Sequence, residues 1–316
     1  MIWQSLAAVF SDPELFTALL AAAVKAGTPL LYATLGGIIA ERSGVVNLGI
    51  EGMMINGAFF GFLGMYLTGS PWAGLALAAL AGGIAASAHA FSCIVLRGNQ
   101  IVSGLAVAIL GVGLADYLGK PYLGSSTPGF ATCNLPVLEH IPALGAVLFR
   151  QDILVYLSYP LPLLLWWFLR HTRWGLALRA AGENPAAVLA AGMNVSRIRW
   201  AGVIAGGVLA GIGGAYLSLA ATHIWMNNIT AGRGWMAVAL VIFAFWRPMR
   251  AWWGAYLFSG IITLQMHLQA LGAPISSSLL LMLPYLLTLA AVCLSSARGR
   301  GRAAPAALGV NLEMEE

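Results

Sequence analysis

Apolar residues in this chain run almost unbroken over lengths that match a bilayer, instead of alternating with polar ones. A spanning helix needs about 20 mainly apolar residues. Nine runs reach or approach that length: 15–40, 45–67, 72–96, 101–118, 153–169, 198–221, 234–246, 251–268 and 275–294. Barrel strands would alternate apolar and polar positions over short segments, and these runs do not. The pattern predicts an all-α fold, a polytopic membrane helical bundle of about 8–10 transmembrane segments including a broken or re-entrant helix. The break is expected at 234–246, whose 13 residues would rise only about 20 Å as a helix against a hydrocarbon core of about 30 Å. Asn227, Asn228, Gly232 and Arg233 make a polar, flexible approach to it. A half-helix, a span that starts earlier with irregular backbone, and a short span in thinned lipid all fit that pattern.

Composition agrees with the hydrophobic pattern. Of 316 residues, 60% are hydrophobic and 9% charged, whereas a soluble domain needs about a quarter charged residues to wet its surface. A soluble enzyme and a nucleic-acid reader are therefore excluded. The first basic residue is Lys25, so a secretory signal with a basic start is not expected and the first run reads as a retained span. Cys93, Cys133 and Cys293 are far apart and form neither a disulfide framework nor a metal motif.

The net charge of +5 matters less than where the basic residues fall. If the turn at 41–44 faces the cytoplasm, alternating spans collect Arg42, Arg97, Arg170, Arg173, Arg179, Arg197, Arg199, Arg247, Arg250, Arg298, Arg300 and Arg302 on that side, 12 of the 16 Lys and Arg residues. Lys25, Lys120, Arg150 and Arg233 remain for the first span and the opposite side. The positive-inside bias then puts the C-terminus in the cytoplasm. The expected organisation is one transmembrane domain over 1–316, with the membrane bundle at 15–294, an irregular extracytoplasmic loop at 119–152 and a cytoplasmic tail at 298–316. A short cytoplasmic helix is expected at 184–193, with Asn184 as N-cap, Pro185 at the first helical position and Gly192 or Asn194 ending it.

Few polar groups interrupt the spans. Glu51 is costly in a membrane helix and should face the bundle interior or a wet cavity. If the chain is helical there, Asn47 shares its face. The pair reads either as a polar lining of a translocation path or as a structural set that satisfies backbone groups at a break among Gly44, Gly49, Gly52 and Gly57. Lys25 is expected to snorkel, and His89 to be a packed, satisfied residue. Gly202, Gly206, Ala210 and Gly214 form a small-residue stripe that lets another helix approach closely. Phosphate-loop, HExxH and GxSxG motifs are absent from the sequence, so catalytic residues and a metal site are not expected, and any ATP chemistry belongs to another subunit.

Residues 35–54, LGGIIAERSGVVNLGIEGMM, resemble the signature of ABC-importer permeases for nucleosides and simple sugars, within the wider ribose and branched-chain amino acid permease family. RGNQIVSG at 97–104, GENPAAVLAAGMNV at 182–195 and GRGWMAVALVIFAFWRP at 232–248 agree with it in order. The resemblance implies a permease in a bacterial plasma (inner) membrane, working with an ABC ATPase subunit, a second permease of the same or a related chain, and an extracytoplasmic solute-binding protein. ATP and Mg would act on the ATPase, with no cofactor in this chain and no nucleic-acid partner. It makes the short helix a coupling helix carried by Glu183, Asn184, Pro185, Ala186, Ala187 and Gly192, although the acid that relatives place just before the Ala pair is Pro185 here. The flanking Arg179, Arg197 and Arg199 are candidates to meet acidic ATPase groups. Asn47, Glu51, Asn99, Gln100 and Ser103 become candidates to line or gate the path of a nucleoside or purine-like solute, or otherwise a simple sugar. The competing function is an ion-gradient-driven secondary transporter or channel without an ATPase. It would need several ionisable groups in mid-span, and Glu51 stands nearly alone.

Overall fold

The computed structural model describes residues 11–134, 141, 144–270 and 304–311, with scattered positions between 279 and 293. Its long helices are α1 (Pro13–Arg42), α2 (Ile50–Thr68), α3 (Pro71–Ala90), α4 (Gln100–Gly119), α10 (Val195–Tyr216) and α12 (Pro248–Ala270). Between α4 and α10 come α5 (Leu144–Leu148), α6 (Ile153–Ser158), α7 (Leu161–His171), α8 (Arg173–Glu183) and α9 (Pro185–Ala190), and α11 (Arg233–Phe243) separates α10 from α12. One π-helical turn extends α3 to Val95, and another extends α10 to Ala221. Among the described residues, six stretches are long and apolar enough to cross a membrane: Pro13–Arg42, Ile50–Thr68, Pro71–Val95, Gln100–Tyr122, Ile153–His171 and Val195–Ala221. The fold is a polytopic helical membrane bundle. Residues 234–246 correspond to the 11-residue α11, while the run at 275–294 lies mostly outside the described residues.

Local chemistry sets the helix starts. Prolines open α1, α3, α9 and α12, where the missing N–H is no loss. Side-chain oxygens of Asp12, Asn99, Asp152, Asn184 and Asn194 cap α1, α4, α6, α9 and α10. Pro160 divides the 153–171 span into α6 and α7. The loop at 119–152 is less irregular than its Pro and Gly content suggests: β1 (Thr132–Asn134) pairs antiparallel with β2 (Arg150–Asp152), and its start is held by Gly124 N to Trp225 O and Thr127 N to His223 O bonds.

The small-residue stripe is the centre of the packing. On α10, Gly206 lies against the Gly36 backbone of α1, Gly207 and Gly211 against Gly82 and Ala78 of α3, and Gly214 against Met54 of α2. Helices this close exclude any larger side chain from the contact. The stripe thus packs within the chain, around α10 as the axial helix.

At one end of the bundle the arginines gather. Arg42 pairs with Glu183 at 3.4 Å, and a cavity of about 810 Å³ is lined by Arg42, Arg170, Arg179, Arg247 and Arg250 with Trp166 and Trp246. Residues 304–311 return to this end. Ala307 N donates to Gly182 O at 2.8 Å and Gly309 N to Gly44 O at 3.1 Å. Arg199, only 2% exposed, donates to Val310 O at 2.8 Å. Asn311 Nδ2 donates to Arg97 O at 2.7 Å.

Candidate functional site: the signature crossing and the half-helix

The site is built around the non-helical link between α1 and α2. Asn47 and Glu51 do not share a helical face, contrary to the helical expectation. Residues 43–49 are out of the helix, Gly44 has φ +98°, and α2 begins only at Ile50. The chain leaves the helix because Gly44 lies against Gly182 and the Arg199 guanidinium, in a backbone conformation that side chains disfavour.

Once out of the helix, the link needs partners for its backbone, and flanking side chains supply them. Gln100 Oε1 accepts from Val46 N at 2.8 Å. His89 Nε2 lies 2.9 Å from Val46 O. A carbonyl only accepts, so the imidazole proton is on Nε2, and Nδ1 accepts from Ser103 Oγ at 3.0 Å. Asn47 Oδ1 accepts from Gly49 N at 3.0 Å, closing an Asx turn. Asn99 is exposed and caps α4 through Ile101 N and Val102 N. Gln100 Nε2 continues to Asn311 Oδ1 at 3.2 Å.

Glu51 is 4% exposed. Its Oε1 accepts from Thr230 Oγ1 at 2.5 Å and Gly232 N at 3.2 Å, and Oε2 accepts from Gly234 N at 2.6 Å. These donors begin α11, which has no side-chain cap of its own. A carboxylate at the positive end of a helix is well placed electrostatically. Close approach requires Gly234, where a β-carbon would overlap the Glu51 backbone. The approach to α11 is irregular, with positive φ at His223, Asn228, Ala231 and Gly232. Backbone of this kind persists at membrane depth only when its polar groups are satisfied by protein or lie in a wet cavity.

The other end of α11 returns to the signature. Trp246 Nε1 donates to Glu41 Oε2 at 2.6 Å, and Arg42 Nε donates to Trp246 O at 3.1 Å. Phe245 and Trp246 both have φ +52°, a left-handed conformation that is costly for bulky residues. Glu41 and Arg42 hold that turn. The signature thus grips the half-helix at both ends, through Glu51 at its start and Glu41–Arg42 just past its finish. Sequence reasoning missed Glu41 and Trp246, although both stand inside the quoted motifs.

The short helix α9 spans Pro185–Ala190, shorter than the 184–193 expected. Asn184 Oδ1 accepts from Ala187 N at 3.2 Å, and Gly192 turns with φ +74°. Val188 is buried in the core, while Ala186, Ala187, Leu189 and Ala190 are exposed. Glu183 Oε2 accepts from Ala306 N at 3.1 Å. Arg199 corrects an expectation. It is buried beneath Val310 and cannot reach a partner protein.

A family described as "Branched-chain amino acid transport system / permease component" matches residues 19–292. The chain belongs to this permease family. It is similar to a putative glucose ABC transporter permease of Haloferax volcanii, 43% identical over 80% of this chain and 78% of the relative. A nucleoside ABC transporter permease of Lactococcus lactis is 35% identical, covering 90% of this chain and 93% of its own length. For a guanosine ABC transporter permease of Bacillus subtilis the identity is 34%, with 88% and 92% covered. No solved structure matches the chain. It is a multi-pass membrane protein, a transporter component and not a catalytic one, of a family that implies a partner ATPase and a substrate-binding protein.

Proposed function

We propose that this chain is one permease half of an ABC importer that moves a nucleoside or purine-like solute into the cytoplasm, with ATP and Mg handled by a separate ATPase subunit. A second permease of the same or a related chain completes the pore, and an extracytoplasmic binding protein delivers the solute. The reading rests on the family together with one observation: α9 is anchored by buried Val188 while its Ala186, Ala187 and Leu189 face is open. A short helix held rigidly on one side and bare on the other suits docking into a groove, and its displacement would be carried into the bundle as a rigid-body shift.

The orientation follows from charge. Arg42, Arg170, Arg179, Arg247 and Arg250 meet at one cavity, and Arg97 and Arg199 are tied to the same end through residues 310–311. That end is the cytoplasmic face of the bacterial plasma membrane, so the tail at 298–316 is cytoplasmic and the 119–152 loop is extracytoplasmic. The arginine cavity, lined from α8 by Arg179, offers positive charge to an acidic ATPase surface, in place of the Arg199 contact. Of the five pathway candidates, Asn47, Glu51, Gln100 and Ser103 are engaged with backbone or His89, and Asn99 is a cap. These bonds favour a framework that positions the half-helix over direct solute ligands. The same engagement of Glu51 disfavours an ion-driven carrier, which needs a carboxylate able to exchange its partners.

Replacing Ala187 with Arg tests the docking role. The variant is expected to reach the membrane at normal level and to lose co-purification with the ATPase. Retained co-purification would remove α9 from the interface.

A further inference from the structure

Between α10 and α11, residues 222–232 descend through the depth of the bundle, and α2 gives the measure. Trp225 packs against Phe59 and Phe62 of α2, with ring centroids 5.1 and 6.3 Å away. Thr230 meets Glu51 on the first turn of the same helix. Phe59 and Phe62 stand about 12 and 16 Å from Glu51 along the helix axis. Asn227 and Asn228 therefore lie between those two levels, and Arg233 follows between the two glycines that bond to Glu51. All three are at membrane depth. Asn227 and Asn228 are nevertheless exposed and Arg233 is half-buried, while Ile229 and Thr230 between them are buried. The segment keeps one side on the core and presents its amides on the other. Among the described residues, Nη1 of Arg233 supports the turn, donating to Thr230 O at 3.1 Å and Ile229 O at 3.4 Å. A guanidinium carries five donors, so its Nε–Nη2 edge remains for another acceptor. Hydrocarbon cannot serve these groups. Amides and a charge at this depth face protein or a water-filled cavity.

We propose that Asn227, Asn228 and Arg233 form the solute-contacting face of this permease half, and that Arg233 sets a preference for 6-oxopurine nucleosides. This deepens the function proposed above and rests on it. The backbone donors at the start of α11 are already held by Glu51, so recognition falls to the side chains beside them. A guanidinium only donates, and its planar fork matches two acceptors side by side, as O6 and N7 of a 6-oxopurine present them. Adenine instead sets its N6 amino donor beside N7, which opposes one of the guanidinium N–H groups. The amides of Asn227 and Asn228 both donate and accept, so they suit the rest of the base edge and the ribose hydroxyls. Asn47, Glu51, Gln100 and Ser103, by contrast, are engaged with the protein itself.

The test uses the assembled transporter in proteoliposomes, with uptake of labelled guanosine, adenosine and glucose. Arg233→Gln keeps a donor for the turn and offers an amide that matches adenine. It is expected to lower guanosine uptake about tenfold and to change adenosine uptake less than twofold, the discrimination of one two-bond base contact. An equal fall for both nucleosides would mark Arg233 as a support of the turn, and no fall for either would leave it off the path; both overturn the proposal. Should Arg233→Gln fail to assemble, Arg233→Lys replaces it. Lysine keeps the charge and a donor for the turn without the fork, and the same loss of guanosine preference is expected.

A second arm is independent of Arg233. In a chain whose native cysteines Cys93, Cys133 and Cys293 are replaced by alanine, Asn227→Cys is treated with a membrane-impermeant maleimide during ATP turnover. Asn227 is preferred to Asn228 because the latter has φ +54°, where cysteine would be strained. Labelling that guanosine slows and glucose does not supports the path. Leu110→Cys, exposed on the apolar side of α4, is the control and should not react. An Asn227→Cys protein that is labelled only after denaturation overturns the proposal, as does labelling that guanosine leaves unchanged. If the wild-type transporter takes up glucose and neither nucleoside, the nucleoside reading itself fails. If it takes up guanosine while Asn227→Cys stays unlabelled, only the path fails.

Discussion

Glu51 Oε2 lies 2.6 Å from the backbone nitrogen of Gly234, across 183 residues of sequence. Through this bond, and those from Thr230 and Gly232, a side chain on the first turn of α2 serves as the missing cap of α11. The charge that is expensive in a membrane helix is compensated by three donors that would otherwise be orphaned beside it.

Removing that carboxylate leaves the donors unsatisfied. Glu51→Ala is expected to destabilise the detergent-solubilised protein by about 2–4 kcal/mol, since hydrogen bonds to charged groups contribute about 1.5–3 kcal/mol each and partial water entry offsets some of the loss. Thermal unfolding of the purified variant measures this. A variant of unchanged stability that nevertheless fails to transport would return Glu51 to the solute path.

The far end of the half-helix predicts a coupled pair. Trp246→Phe removes the indole hydrogen bond to the Glu41 carboxylate, a group 4% exposed, and is expected to destabilise by about 2–3 kcal/mol. Glu41→Gln keeps an acceptor for the indole and should be milder. In a double-mutant cycle the two changes should be non-additive by about 1 kcal/mol or more, as for residues in direct contact. Additive effects on thermal unfolding would show that the 2.6 Å contact carries no coupling.

The spans were legible in the sequence because their signal is composition over about 20 residues, and the bilayer leaves few other ways to satisfy the backbone. Position 234–246 could be read as broken for the same reason, since a run can be too short whatever it touches. What Glu51 does was only half legible. Its cost announced an interior role, but its donors at 230–234 are distant in sequence, and no local rule pairs them. Asn47 misled because i and i+4 share a face only if the chain is helical, and Gly44 at φ +98° breaks that premise. Asn227, Asn228 and Arg233 were legible only as a polar approach to the short run. That they stand at membrane depth is visible only with Trp225 and Thr230 placed against α2.

Residues 304–311 present a third prediction. Val310 O is a hydrogen-bond acceptor for buried Arg199, and the bond of that guanidinium to Ala181 O is long, at 3.5 Å. Removing residues from 304 onward leaves the charge without its short bond, and the protein is expected to unfold at a temperature several degrees lower. Asn311→Ala, which cuts bonds to Arg97 O and Gln100, should give a smaller decrease, about 1–2 kcal/mol. In the truncated protein, Arg199→Met should restore part of the loss, because an apolar side chain does not need the missing carbonyl. Thermal unfolding of the three variants checks the order, and a truncated protein as stable as the full chain would show that the tail contacts contribute nothing.

The close packing about α10 gives the most severe substitution. At Gly214 a β-carbon would overlap the carbonyl oxygen of Met54 and crowd Ala58 N, and both neighbours are backbone, which cannot swing aside as a side chain does. Gly214→Ala therefore requires α2 and α10 to separate along the contact that also carries Gly57 against Gly211. Overpacking of this kind costs about 1–3 kcal/mol where side chains yield, and more here, so the expected outcome is a protein found largely in aggregates or degraded before assembly. Gly113→Ala is the matched control, on α4 with open space where the β-carbon would stand. It should accumulate normally and gain slightly in helix propensity. Fluorescence-detected size exclusion of both variants separates the two results, and a monodisperse Gly214→Ala protein at wild-type yield would mean that the two helices do not meet as closely as the geometry states.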